Sequence, residues 1–212
     1  MWDTLKAEIE RVLEERPGAL VSYPDPRSDR GREPPLRIGL APWATDVARD
    51  LHGRFGDVVE LQVGALGYPE GRRHRVPLPE LGPELDPSRI EFAVDPPLEV
   101  RSGHTLRSQL HVWNRTGGEV QIVTNGGVTG YVVDSRTGTV VGGFSGAQRL
   151  PRVVFRLQPQ SPELIPLVVG TASFVPDLGF AVPPGLWAVR VPLALGGGRG
   201  ASTPPLPITV TP

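Results

Sequence analysis

Ser145 is the candidate nucleophile for covalent catalysis in this sequence, within the segment Gly143-Phe144-Ser145-Gly146-Ala147. This segment comes nearest to the nucleophile elbow G-x-S-x-G. It has alanine at the last position, and we expect it among strands instead of at a strand-to-helix turn. A triad would combine Ser145 with one histidine and one aspartate, and the candidates are His104, His111, Asp134 and Asp177. Most proteins contain such a trio by composition alone, so we assign no catalytic residue and keep a small serine hydrolase as an alternative function.

The remaining polar residues do not form a pattern that predicts a metal or a cofactor. There is no cysteine, and the four histidines (His52, His74, His104 and His111) occur in neither H-x-x-x-H nor H-E-x-x-H spacing. The turn Gly39-Leu40-Ala41-Pro42 precedes a predicted helix but lacks both phosphate-binding glycine patterns. Residues 98–212 hold five acidic residues without a close pair for acid–base chemistry. We therefore predict no metal and no cofactor.

Two long loops carry aromatic side chains that could contact a partner. Residues 142–150 combine glycines with Phe144 and Gln148, and residues 171–184 contain Phe174 and Phe180. Long loops with aromatic residues on a rigid scaffold often form binding surfaces, although such loops can also cover an open end of a sandwich. We predict Phe144, Gln148, Phe174 and Phe180 as binding residues.

The elements that position these residues begin with a helix. Apolar residues recur at a helical period in one stripe: Trp2, Leu5, Ile9, Val12 and Leu13. Glu8 can pair with Arg11 one turn later, and Pro17-Gly18 ends the helix. Such a stripe usually packs on its own domain, and a partner-binding helix is the alternative.

A βαβ unit follows a charged, proline-rich loop at 22–35. Apolar residues alternate over 36–40 and again over 59–63, as in strands. Between them a helix is predicted from Pro42, with Gly56 as its cap. The two strands should be parallel. Residues 1–66 thus form a small α/β unit, and the Pro- and Gly-rich residues 67–88 form a linker of limited flexibility.

From residue 89 the apolar period changes to two, which predicts an all-β domain over 89–212. The turn Asn125-Gly126-Gly127 suits a tight reversal, and residues 134–138 suit a hairpin loop. Pro166 and Pro192 indicate edge strands or bulges. The candidate strands are 89–94, 97–101, 106–113, 119–124, 128–134, 139–144, 152–158, 163–169, 186–195 and 206–211. Ten strands without a helical period between them favour an antiparallel sandwich.

Residues 90–212 resemble the immunoglobulin-like superfamily of β-sandwiches. The segment at 182–191 reads Val-Pro-Pro-Gly-Leu-Trp-Ala-Val-Arg-Val and is similar to the entry into the penultimate strand of such domains. The turn at 157–167 and the hairpin at 132–141 are also similar, whereas the cysteine pair of antibody domains is absent. Intracellular proteinase inhibitors of the bacterial sandwich type have a similar strand layout, although no exposed reactive loop can be assigned. The whole chain also resembles uncharacterised proteins of GC-rich soil bacteria, which implies no function.

Composition excludes several classes of protein. Of 212 residues, 39% are hydrophobic and 21% charged, as in soluble globular proteins. No apolar run is long enough for a transmembrane helix, and no secretory signal is visible. Gly and Pro, 26 and 25 residues, raise a suspicion of disorder that the apolar runs argue against. The net charge is −1, without the basic patch that nucleic-acid binding requires.

The sequence therefore predicts an α+β protein: a small N-terminal α/β unit (a helix plus βαβ) followed by an antiparallel immunoglobulin-like β-sandwich. The predicted function is a non-enzymatic, cytoplasmic protein-interaction or structural module, which binds a protein partner or itself through loops of the sandwich. A small serine-type hydrolase and a protein similar to intracellular proteinase inhibitors are the alternatives.

Overall fold

The structure is a computed structural model that describes residues 2–23, 35–69, 80–146 and 151–212. Gln148 and His74, which the sequence analysis named, lie outside these ranges. The described residues are mostly β, with 47% of them in strands and two short α-helices, which is consistent with the predicted α+β class. Within the described ranges, neither helix is long and apolar enough to cross a membrane.

The N-terminal part is a four-stranded sheet with two helices. The elements are α1 (Trp2–Glu15), β1 (Leu20–Ser22), β2 (Leu36–Leu40), α2 (Thr45–Phe55), β3 (Val59–Val63) and β4 (Leu66–Tyr68). The sheet order is β1-β2-β3-β4. The predicted βαβ unit is present, since β2 and β3 are parallel with Leu36 opposite Val59.

The second helix begins later than predicted. Pro42 and Trp43 lie in a turn in which the Ala44 N–H donates to the Ala41 carbonyl oxygen at 2.9 Å. The helix starts at Thr45, not at Pro42. Ala44 has φ −93° and ψ 40°, outside the helical region, so the first helical residue is Thr45. This turn places Trp43 beside the carboxyl end of β2.

The two helices are joined by buried apolar residues and by an ion-pair cluster. Leu5, Ile9 and Val12 of α1 are buried as predicted, whereas Leu13 is 38% exposed. Glu8, itself buried, accepts hydrogen bonds from Arg11, as predicted, and from Arg54 of α2 at 2.9 Å. The hydrogen bond from Arg11 lowers the pKa of Glu8 below its usual value.

The remaining strands form a β-sandwich. They are β5 (Ile90–Val94), β6 (Leu98–Arg101), β7 (Thr105–Asn114), β8 (Val120–Thr124), β9 (Val128–Val133), β10 (Val140–Gly143), β11 (Val153–Leu157), β12 (Pro162–Gly170), β13 (Ala172–Ser173), β14 (Gly185–Arg190), β15 (Pro192–Leu195), β16 (Gly200–Ser202) and β17 (Leu206–Thr211). One path of pairing runs β5-β7-β12-β9-β14-β17-β6, with β10 and β13 attached, and another runs β11-β8-β15-β16.

Strand registers show how these two sheets combine. Only Val191 separates β14 from β15. On one side, β14 pairs antiparallel with β9 and β15 pairs antiparallel with β8. On the other side, β14 pairs with β17 and β15 pairs with β16. The two sheets are therefore joined end to end in one layer. The strands β5, β7 and β12 form the opposing layer, and one apolar cluster from both layers fills the space between them.

Two predictions about strand direction were wrong. The sandwich is not fully antiparallel, because β12 pairs parallel with β9 and β17 pairs parallel with β6. Asn125-Gly126-Gly127 does not reverse the chain. The strand β8 runs antiparallel to β15 and β9 runs antiparallel to β14, and β14 continues into β15, so β8 and β9 run in the same direction. The loop therefore interrupts one long strand. Gly127 is needed there because a Cβ would lie 2.8 Å from the Pro166 carbonyl oxygen.

The two prolines mark interruptions of pairing. Pro166 is opposite Gln109 of β7, and the ladder from β12 to β9 begins only at Leu167. Pro192 is the first residue of β15, so the run predicted at 186–195 is divided into β14 and β15. The strand β16 was not predicted, because Gly200–Ser202 has too few apolar residues to show a period of two.

The two units share a segment of the chain. Phe180, between β13 and β14, belongs to the apolar cluster of the α/β unit and stacks on Tyr68 at 5.9 Å between ring centroids. Val182 belongs to the core of the sandwich. The α/β unit and the sandwich therefore pack against each other.

The division into 1–66, 67–88 and 89–212 stays a prediction. Gly67 and Tyr68 lie in β4 of the α/β sheet. At the other end of the linker, the Leu85 N–H donates to the Ser202 carbonyl oxygen at 2.9 Å, and the Ser202 N–H donates to the Pro83 carbonyl oxygen at 2.9 Å. Residues 83–85 thus lie along β16.

Replacing Phe180 with alanine should destabilise the whole molecule. The ring is only 7% exposed, and truncating a buried phenylalanine costs about 3–5 kcal/mol. Urea unfolding of Phe180→Ala and of Leu186→Ala measures this. Leu186 is 82% exposed, so its truncation should change the free energy of unfolding by less than about 0.5 kcal/mol. Equal losses in the two variants would show that Phe180 does not anchor the units.

Candidate functional site

A groove of about 490 Å³ lies where the α/β unit meets the sandwich. Its lining comes from two segments of the α/β unit and three of the sandwich. The residues are Gly18, Val21, Ala41, Pro42, Trp43, Gly103, His104, Thr105, Gly143, Phe144, Ser145, Gly146 and Ala172. Since both units contribute, the groove exists only when they are packed together.

One wall of the groove is a stacked pair of rings. Trp43 and His104 lie with their ring centroids 5.7 Å apart and their planes 16° apart. Trp43 comes from the turn before α2, and His104 comes from the turn between β6 and β7. The stack therefore joins the two units directly.

The imidazole of His104 has a fixed orientation. Its Nδ1 lies 3.0 Å from the Ser102 carbonyl oxygen, so Nδ1 donates a proton in this bond and Nε2 is left for other contacts. The carbonyl oxygen of His104 accepts from Thr171, from the backbone N–H at 3.1 Å and from Oγ1 at 3.0 Å. Thr171 is fully buried, which holds the turn that presents the ring.

Gly103 allows this turn to approach Trp43. Its φ is +78°, a conformation that favours glycine. A Cβ at this position would lie 3.1 Å from the Trp43 backbone nitrogen. Glycine is thus favoured here by the backbone conformation, and its missing Cβ leaves room for the close approach of the two units.

Another part of the lining is the end of β10 and the residues after it, Gly143–Gly146. A Cβ on Gly143 would lie 2.7 Å from the Tyr131 ring. The Phe144 ring lies over Gly146, where a Cβ would be closer still, and its side chain is half-buried. The glycines therefore let this segment lie close to the sheet and present Phe144 to the groove.

The four predicted binding residues fall in different surroundings. Phe144 lines the groove, whereas Gln148 lies outside the described residues. Phe174 and Phe180 are 4% and 7% exposed. Phe174 packs beside Tyr131 with ring centroids 6.3 Å apart, and Phe180 packs in the α/β cluster. A binding role for the four residues stays a prediction, but the rings of Phe174 and Phe180 offer a partner little surface.

The structure brings together one pair of the candidate triad residues. Ser145 and His104 line the same groove. His111 stacks on Trp113 at 5.8 Å and is absent from the groove lining. Neither aspartate lines the groove. Asp134 accepts backbone hydrogen bonds from Arg136 and Thr137 in its hairpin, and these bonds lower its pKa.

Sequence reasoning missed Trp43 and the turn at Gly103. A helix that begins at Pro42 would contain Trp43, and the sequence gives no role to Gly103. The one available signal was the Pro42-Trp43 pair directly after a strand. Within the described ranges, no three His, Asp or Glu side chains lie together as a possible metal site.

Comparisons with known proteins give weak likenesses. No protein-family model and no curated protein matches the sequence. Among solved structures, the sporulation control protein Spo0M of Bacillus subtilis matches with 14% identity and a TM-score of 0.28, over 58% of this chain and 49% of that one. The match thus spans about half of Spo0M. An ASH/PapD-like domain of human CEP192 (PapD-like domain 7) matches with 13% identity and a TM-score of 0.29, over 65% of this chain and 96% of that one. At TM-scores below 0.5, neither likeness supports a statement about function.

Replacing Gly103 with alanine should cost more stability than the same change at Gly179. Both glycines have positive φ, +78° and +75°, so both variants pay roughly 1–2 kcal/mol for that conformation. Only at Gly103 would the new Cβ press on Trp43, since nothing lies within 4 Å at Gly179. We expect a further loss of about 1 kcal/mol for Gly103→Ala, measured by urea unfolding. Equal losses of unfolding free energy in the two variants would mean that there is room for a Cβ between Gly103 and Trp43.

Proposed function

We propose that this chain is a non-enzymatic protein-interaction module that binds an extended segment of a partner protein in the groove between its two units. The observation that carries the proposal is the groove itself, which both units build from aromatic rings and glycine backbone. Extended segments bind well where aromatic rings supply contact area and exposed backbone supplies hydrogen-bonding groups. A cytoplasmic location stays part of the proposal.

The sandwich that carries the groove is proposed to be immunoglobulin-like. Supporting this, β5, β7 and β12 form one layer. The other layer contains β14 and β15 at its centre, with β8 and β9 on one side and β16 and β17 on the other. The parallel pairing of β6 with β17 lets the chain pass from one layer to the other directly after β5.

The chemistry of the lining indicates the kind of segment. Among the lining residues that the structure describes, His104 is the one titratable side chain. A charged side chain of a partner would lose hydration there without gaining an opposite charge, which is unfavourable. Trp43 and Phe144 instead offer flat apolar surfaces, and Pro42 adds to them. We therefore expect an uncharged segment, apolar or proline-containing.

Selection from a peptide library displayed on phage, with the full chain immobilised, tests this proposal. Peptides enriched on the wild-type chain should be uncharged in their common motif. Their dissociation constants, measured by calorimetry, should rise about tenfold or more in Phe144→Ser, because truncating an aromatic anchor removes at least about 1.4 kcal/mol.

Two further variants locate the binding. Val21 lines the groove from the α/β side and is 54% exposed, so Val21→Ser should also weaken binding while leaving the fold intact. Leu186→Ser, an exposed change away from the groove, should leave affinity unchanged. Peptides that bind the wild type and Phe144→Ser equally well would refute groove binding.

A serine hydrolase is the second candidate, favoured by the presence of Ser145 and His104 in one groove. The orientation of His104, with Nδ1 donating to a backbone carbonyl, leaves Nε2 to accept a proton. If this pair is catalytic, a fluorophosphonate probe should label the wild-type chain and fail to label Ser145→Ala or His104→Ala. Absence of labelling in the wild type, with folding confirmed by circular dichroism, would remove this candidate.

A further inference from the structure

The strand β5 lies at the edge of its layer. It pairs with β7 on one side, and no strand among the described residues pairs with it on the other. We propose that the chain forms a two-fold symmetric dimer in which β5 of one copy pairs antiparallel with β5 of a second copy. The strands β5, β7 and β12 of the two copies would then be six neighbouring strands of one continuous sheet.

The free edge presents hydrogen-bonding groups in a suitable order. The Arg115 N–H donates to the Arg89 carbonyl oxygen at 2.8 Å, so residue 89, and with it 91 and 93, directs its backbone groups towards β7. The backbone N–H and carbonyl groups of Ile90, Phe92 and Val94 therefore point outward. The Ile90 N–H donates to the Asp86 carbonyl oxygen. The groups left for a second strand are the Ile90 carbonyl oxygen and the N–H and carbonyl groups of Phe92 and Val94.

A two-fold axis beside Phe92 satisfies these groups. The two Phe92 residues would exchange N–H and carbonyl hydrogen bonds, and each Val94 N–H would donate to the Ile90 carbonyl oxygen of the other copy. An antiparallel pair of identical strands has this symmetry automatically, because residue i of one copy faces residue j while j faces i.

The side chains of the strand favour the same arrangement. Phe92 and Val94 point towards the sandwich core but are only partly buried, because no strand lies beyond them. A second β5 would cover both residues. Residues 90–94 contain no proline and no lysine, two residues that often block such edges, and Glu91 is the one charged residue in the strand.

Charge complementarity favours this register. With Phe92 opposite Phe92, Glu91 faces Ala93, and Arg89, in the turn before the strand, comes near Asp95, in the bend after it, at both ends of the pair. Arg89 and Asp95 are both exposed. Glu91 meets no like charge across the pair, and within its own chain it accepts from Arg115 at 2.7 Å.

Other sheet edges are less suited to self-pairing. Residues 83–85 cover the edge of β16. The other edge strands β1, β4, β6 and β13 are shorter than β5, with three, three, four and two residues. The strand β11 has five residues, but self-pairing there would bring together Arg152 and Arg156 of both copies, and residues 151–157 contain no acidic residue. The strand β5 is therefore the edge on which a second copy fits.

Mass measurement by light scattering, on the full chain across a concentration series, tests the dimer. The wild-type chain should reach twice the monomer mass. Arg89→Glu should raise the dimer dissociation constant by about tenfold, because two attractive pairs become repulsive. The double variant Arg89→Glu with Asp95→Arg should restore the wild-type value. The proposal would be overturned by a monomer at all concentrations, or by a dimer whose dissociation constant is the same in the wild type and in Arg89→Glu.

Crosslinking tests the register independently, since the chain has no cysteine. The variant Glu91→Cys with Ala93→Cys places two cysteines across a non-hydrogen-bonded pair, where Cα atoms approach within about 4.5 Å, a distance that permits a disulfide. Mild oxidation should give a covalent dimer. The matched control, Val154→Cys with Arg156→Cys, has the same spacing on β11 and should give no covalent dimer. Equal crosslinking in both variants would overturn the assignment to β5. A chain that is monomeric would overturn the dimer, and this edge could then pair with a strand of a different protein.

Discussion

The ring of Phe180 is buried in the apolar cluster of the α/β unit, while Val182 is buried in the core of the sandwich. Phe180 and Val182, two positions apart in one short segment, thus belong to two different cores. The Ser173 N–H donates to the Phe180 carbonyl oxygen at 3.0 Å, and the Val182 N–H donates to the Thr171 carbonyl oxygen at 2.9 Å. These bonds hold the segment extended, so neither residue can move without disturbing both units. Everything that lies between the units depends on this arrangement.

The groove is a consequence of the same packing. Thr171, which bonds to Val182 on one side, bonds through its hydroxyl to the Arg101 and His104 carbonyl oxygens on the other. The turn that carries His104 is therefore fixed to the segment that anchors the α/β unit. Small residues permit the approach: a Cβ on Gly64 would lie 3.2 Å from the Ala172 Cβ. The Trp43–His104 stack then forms at the junction, and the space beside it is the groove.

The two proposed binding surfaces differ in their chemistry. The described part of the groove is built from rings and glycine backbone with one titratable side chain, so we expect it to suit an uncharged segment. The edge of β5 offers backbone groups flanked by an arginine and an aspartate, so it suits its own copy. The two surfaces use different residues, and occupation of one need not exclude occupation of the other.

Much of the architecture follows from local sequence. The stripe Leu5, Ile9 and Val12 predicted α1, and alternating residues predicted the βαβ unit and most sandwich strands, because burial on one face imposes the period of each element. Sequence did not reveal that β8 and β9 form one interrupted strand. A glycine-rich loop has the same local signature whether it reverses the chain or bulges out of it, and only the register against β14 and β15 distinguishes the two.

The candidate site could be predicted from the sequence only in part. Loop composition pointed to Phe144 and Ser145, which the groove contains, and equally to Phe174 and Phe180, which are buried. An aromatic residue in a long loop carries no local sign of whether it faces solvent or a second unit of the same chain. The pairing of Trp43 with His104, 61 positions apart in the sequence, came from tertiary structure alone. The sequence by itself determined the elements and their buried faces, because these depend on neighbouring residues. Tertiary structure decided which loops meet, because that depends on how two cores share one segment.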